Sequence, residues 1–209
     1  MEAVASPVRI NRPLAPEDQG RADFYALFSR LMHAAPDARL LGAISIASEI
    51  PPEGDPALAK AWGEFVSASS VMDADAADDE YQALFVGVGA SQVSIYSGFY
   101  TGATAVDHPR IRLRADLADL FLAKPDHIAE PDDHYAVLFD AMRVLIAGGA
   151  GRSSATLAEQ KHFFQAHLEP GVVKFFRALG AADGANYYRR VAALGLAFMA
   201  IESESFRLG

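Results

Sequence analysis

The sequence contains no cysteine among its 209 residues. That excludes disulfides, thiolate nucleophiles, Cys-ligated zinc and iron–sulfur ligation together, and it fits a reducing compartment. A long apolar run is also missing. The longest, Val191 to Ile201, falls short of the ~20 residues that span a bilayer, so no stable membrane insertion is expected. The stretch from Met1 to Asp18 carries prolines but no apolar h-region of a secretory signal, and a cytoplasmic protein is the expectation. Basic residues are few, 18 against 27 acidic ones, for a formal net charge of −9. They form no stripe that could follow a phosphate backbone, so nucleic acid is not an expected partner. Such a surface either attracts a basic peptide or simply maintains solubility. Alternation of period two is absent over any useful length, which excludes a sheet.

What is present is helical periodicity. Glu17 to Met32 carries Phe24, Leu27, Phe28 and Leu31 on one face, and Asp37 to Ser48 follows. Asp55-Pro56 reads as an N-cap followed by proline at the first helical position. Asp78-Asp79-Glu80 reads as the opening of the next helix, with Tyr81, Leu84, Phe85 and Val88 on its apolar face. Residues 87–102 are rich in glycine and aromatics, and read as a packed loop. Helical pattern resumes over 109–123 and 131–147. Thr156 and Glu159 have the spacing of a capping box for a helix to about Leu168. Pro170 to Leu179 and Asn186 to Phe206 complete the series. The expectation is an all-α fold of about eight or nine helices in one globular domain over 16–209. A flexible segment over 1–15 precedes it, and the glycines of 148–153 make a candidate hinge.

The chemistry concentrates at Glu130-Pro131-Asp132-Asp133-His134. Proline suits the first helical position, which would place Asp132 and Asp133 in a first turn stabilised by the helix dipole. A cap needs one acidic residue, and the excess suggests a site. His127, Glu130, Asp133 and His134 match no established zinc-helix spacing, so no metal is expected. No Gly-x-Ser-x-Gly elbow, dinucleotide fingerprint or phosphate loop occurs, and no cofactor and no catalytic residue are assigned. An Asp133–His134 acid–base pair in a small helical enzyme, and a plain interaction module with a capped helix, both stay open on the residues alone. On spacing, Tyr81, Leu84 and Phe85 fit a core face better than a ligand surface.

Tyr81-Gln82-Ala83-Leu84-Phe85-Val86-Gly87, followed by Glu130-Pro131-Asp132-Asp133-His134, resembles the two signatures of the TorD/DmsD/NarJ family of molybdoenzyme maturation chaperones. The resemblance extends to His167-Leu168-Glu169-Pro170 and the Tyr187-Tyr188-Arg189-Arg190-Val191 helix. It implies an all-helical, non-catalytic protein that binds the twin-arginine signal peptide or another part of an apo-molybdoenzyme until the cofactor is inserted and export can follow. The implied client is the catalytic subunit of a DMSO reductase superfamily enzyme. The Val93-Ser94-Ile95-Tyr96 wording points toward a formate dehydrogenase-like one. Carried over by motif, Tyr81, Leu84 and Phe85 border the peptide region, and Pro131, Asp133 and His134 form its polar part. Gly87, Tyr96, Glu130 and Asp132 belong to the same set. Guanidiniums pair well with carboxylates such as Asp132 and Asp133, and an apolar leader fits a groove between helices. The resemblance also implies a monomer or a domain-swapped dimer. The chain departs from the family in the loop around Val93 to Gly98 and at Gly171, where many members carry tryptophan.

Overall fold

Short acidic and hydroxyl side chains start four of the helices. In a computed structural model describing residues 14–87, 91–102, 109–120, 122, 131–149 and 153–208, α1 spans Pro16–His33 and α2 spans Ala38–Ser45. α3 spans Pro56–Val71 and α4 spans Ala74–Tyr81. Asp37, Asp55 and Asp73 cap the last three by accepting from backbone N–H groups, at 2.8 Å from Leu40, 2.7 Å from Leu58 and 2.9 Å from Asp75. Then come α5 (Pro109–Asp119), α6 (Tyr135–Ala147), α7 (Leu157–Phe163), α8 (Val172–Ala181) and α9 (Tyr187–Leu208). The expected capping box of Thr156 and Glu159 starts α7. Nine helices and no strand occur among the described residues, in one domain. None is long and apolar enough to cross a membrane. Residues 1–13, and 150–152 of the expected hinge, lie outside the described residues.

The start of α4 differs from its sequence reading. Asp78-Asp79-Glu80 does not open α4, because Asp73 caps it earlier and the acidic run falls in its second half. Glu80 serves a different helix. Its carboxylate accepts from the backbone N–H groups of Asn186, Tyr187 and Tyr188 at 2.8–3.0 Å, filling the positive end of α9.

Two helices end in a π-helical turn. α4 continues through Gln82–Val86, closed by Gly87 N–H donating to the Gln82 carbonyl at 2.8 Å. α7 continues through Phe164–Leu168, closed by Glu169 N–H donating to Phe164 at 2.9 Å. Gly87 has φ of 63°, a conformation that a side chain would strain, and there the chain leaves the helix.

α1 packs along α6, while α9 lies against α3 and α8. The rings of Phe28, Phe139, Phe176 and Phe198 meet at the centre, with Phe28 5.5–5.8 Å from each of the others. α6 is apolar nearly all round and is the most deeply placed helix, so whatever sits at its start is held by the core.

One buried ion pair crosses this core. Arg21 of α1 donates to both oxygens of Glu202 in α9, at 2.7 and 3.0 Å, and Tyr25 adds a third bond at 2.9 Å. Burial, then the neighbouring Glu202 charge, pushes the Tyr25 phenol well above its ordinary value. Losing Glu202 strips the buried Tyr25 hydroxyl of its acceptor and leaves the part-buried Arg21 with Asp18, 3.0 Å away, as its remaining ion-pair partner. Glu202→Ala should therefore lower the unfolding free energy by about 1.5–3 kcal/mol. Urea titration measures this, and a loss below about 1 kcal/mol would show the pair to be energetically idle.

Candidate functional site

The loop over 91–102 joins the two stretches that the sequence singles out. At one end Val93 N–H donates to the Leu84 carbonyl at 3.0 Å. At the other, Ser97 N–H donates to the Asp133 backbone carbonyl at 2.9 Å and Tyr135 N–H donates to the Ile95 carbonyl at 3.0 Å, an isolated antiparallel bridge centred on Tyr96 and His134. Tyr100 hydroxyl closes the loop on itself through the Ser94 carbonyl at 2.9 Å.

This pairing corrects the expected start of α6. Pro131 is not its first residue, and Asp132 and Asp133 are not in its first turn. The N-cap is His134, extended at φ −68° and ψ 131°, and its Nδ1 accepts from Ala136 N–H at 3.1 Å. A ring nitrogen that accepts carries no proton, which places the imidazole proton on Nε2. Bridging to the loop takes the backbone groups of 133 and 135 that a longer helix would use, so tertiary pairing overrides the local proline signal.

The two carboxylates therefore sit in a turn ahead of the helix, and each has a cation. Asp133 is only 2% exposed, with Arg110 Nε 2.9 Å from its Oδ1. The angle of that contact falls short of a hydrogen bond, so Oδ1 has an ion-pair partner but no donor aimed at it among the described residues. A Cβ on Gly98 would stand 3.1 Å from Asp133 Oδ2, so the loop closes tightly over the acid. Asp132 takes two bonds from Arg114, at 3.0 and 3.1 Å. Both arginines come from α5.

α5 lies lightly on the body. Of its described side chains only Leu113 and Leu117 are buried, about 1.5–3 kcal/mol each. Asp116 adds an anchor, 2.6 Å from His167 Nε2 in the second π-helical turn. Burial, the largest influence, lowers the His167 pKa against the opposing pull of Asp116.

The loop whose Gly98 covers Asp133 also exposes two aromatic rings. The Tyr96 ring meets His134 edge-on, 5.5 Å between centroids, and is 38% exposed. Phe99, next to Gly98, is 73% exposed. Tyr81, Leu84 and Phe85 do not reach this surface. Leu84 and Phe85 are buried, and Tyr81 packs on Phe85 and Tyr188 while its hydroxyl donates to the carbonyls of Met32 and His33. They carry the loop from beneath. Gly87 supplies the turn between them and it, and Glu130 lies outside the described residues. Sequence reasoning missed Arg110, Arg114 and Phe99. The available signal was an arginine pair at i and i+4 ahead of an acidic pair. Among the described residues no group of three or more His, Asp or Glu side chains is placed to hold a metal.

A family model described as nitrate reductase delta subunit matches residues 51–177, which include both signature stretches. No curated protein matches the chain.

Gly171, one of the departures noted above, has a structural counterpart. A Cβ there would come within 2.9 Å of the Tyr135 hydroxyl. That hydroxyl is buried without a hydrogen-bond partner among the described residues. An unsatisfied buried hydroxyl costs about 1–3 kcal/mol. Tyr135→Phe should therefore leave stability unchanged or raise it by about 1 kcal/mol, read as the midpoint of denaturant unfolding. A fall of 1 kcal/mol or more would mean that the hydroxyl has a partner.

Proposed function

Because the chain belongs to the nitrate reductase delta subunit family, the NarJ/TorD-type chaperones of molybdoenzyme maturation, we propose that the corner formed by residues 96–99 and 131–134 receives the twin-arginine leader of its client. The family is one of chaperones and not of enzymes, and its partner is a nitrate reductase-type molybdoenzyme subunit. The observation that carries this reading is a single short loop that both covers a buried acid and bears exposed rings. Gly98 lies over Asp133, Tyr96 meets His134 across the bridge to the start of α6, and the exposed Phe99 follows Gly98 in the chain.

A twin-arginine leader has matching chemistry. Its guanidiniums suit planar carboxylates, and its apolar stretch suits Tyr96 and Phe99. The net charge of −9 steers such a peptide toward the protein. The proposed contact set is Tyr96, Phe99, Pro131, Asp132, Asp133 and His134, with Glu130 adjoining in sequence. Tyr81, Leu84, Phe85 and Gly87 support it. Binding in the cytoplasm, before cofactor insertion and export, follows from this role. The Val93-Ser94-Ile95-Tyr96 wording favours a formate dehydrogenase-like client within the superfamily, which comparison of leaders from the two enzyme types would test.

Isothermal titration with a synthetic twin-arginine leader peptide tests the site. Asp133→Asn keeps the shape and deletes the charge, so binding should weaken roughly 10- to 100-fold, as expected for a lost charge-assisted bond of about 1.5–3 kcal/mol. Phe99→Ala should cost less, and added salt should weaken binding without abolishing it. Equal affinity of wild type, D133N and F99A would remove the site from this corner.

A further inference from the structure

We propose that α5 is an internal competitor for the client: Arg110 and Arg114 occupy the carboxylates of Asp133 and Asp132 in the free protein, and the client's arginines displace them. The inference rests on the reading of this corner as the leader site. Its basis is that the acids expected to receive guanidiniums already hold two, supplied by this chain.

The geometry is that of a provisional occupant. Arg110 reaches Asp133 Oδ1 at 2.9 Å but aims no hydrogen bond at it, leaving a buried acceptor for a better-placed donor. Arg110 is 50% exposed and Arg114 81% exposed, so both return to water at little cost. The helix that carries them buries only Leu113 and Leu117 of its described side chains. Asp133 stays at the start of the most buried helix whichever cation it faces.

Two physical needs explain such a device. A carboxylate this buried must keep a cation when no client is present, since an unpaired buried charge is strongly destabilising. The competitor also sharpens selection. A single lysine cannot replace two guanidiniums, because it lacks their planar fork, whereas an arginine pair can take both carboxylates together. The affinity seen by the client is its intrinsic affinity reduced by the fraction of molecules in which α5 has let go.

Calorimetric titration of the full chain with a synthetic twin-arginine leader peptide tests this, using Arg114→Ala and the double variant R110A/R114A. Both should bind more tightly than wild type, the double variant by roughly 3- to 30-fold, as removal of a competing closed state predicts. In wild-type protein the α5 amides should exchange hydrogen faster once peptide is bound. That readout needs no variant and holds if R110A/R114A does not fold. Unchanged or weaker binding in R114A, or α5 amides that slow or stay constant with peptide, overturns the competitor. If D133N still loses affinity in that case, the leader site itself survives. A peptide that binds wild type and D133N equally overturns both readings.

Discussion

A buried carboxylate at the mouth of the core sets the arrangement of everything around it. Asp133 stands one residue before the cap of α6, and its acid group is almost wholly withdrawn from water. Such a group must be neutralised by a cation, and its backbone must be held where the cation can reach. The bridge between residues 95–97 and 133–135 does the holding, and Gly98 allows the loop to close against the acid. α5 supplies the cation. The exposed rings of Tyr96 and Phe99 follow from the same bridge, since a loop pinned at Ile95 and Ser97 presents its intervening and following side chains outward. One constraint thus produces both the polar and the apolar half of the corner.

The most recognisable stretch of sequence acts at a distance from that corner. Within Tyr81 to Gly87, Gln82–Val86 forms a π-helical turn whose Leu84 and Phe85 side chains are buried, and its Leu84 carbonyl anchors the loop at Val93. An extra residue in a helical turn re-aims the chain that leaves it, and Gly87 at positive φ completes the change of direction. The motif fixes where the loop begins. The second motif fixes where it ends, and the surface between them carries the exposed rings of Tyr96 and Phe99.

Periodicity made the helical fold legible. The apolar faces, the Asp–Pro start of α3 and the capping box of α7 are local signals, and each stands where the residues place it. Two of the failures are cases in which a distant partner claimed a local group. Glu80 reads as a helix-opening acid, yet it caps α9, more than a hundred residues away. Pro131 reads as the first residue of α6, yet the backbone after it is taken by the loop. The π-helical turns leave no period that separates them from ordinary helix. At the site, the residue types were legible as acids, histidine and aromatics. Their partners were not, because the pairing of Asp133 with Arg110 depends on how α5 lies across the body, and spacing along the chain does not encode that.

A chaperone must release what it binds, and on the proposed reading of the corner as the leader site that requirement bears on how strong the corner should be. Two free carboxylates on an apolar shelf would hold a doubly cationic peptide tightly and would also hold many wrong ones. The corner here is tempered. Asp132 and Asp133 are already paired, the pairs are partly in water, and the exposed apolar surface of the loop consists of two rings rather than a deep groove. On the proposed reading, binding exchanges the arginines of α5 for those of the client, so α5 offsets part of what the client's arginines contribute. The aromatic contacts add to the remainder, because they are gained by the client and have no counterpart to give up. When the mature client folds around its cofactor and withdraws the leader, α5 can return to acids that have not moved. Reversibility is in that sense a consequence of burying Asp133, since a carboxylate that must always be paired is always ready to accept its former partner.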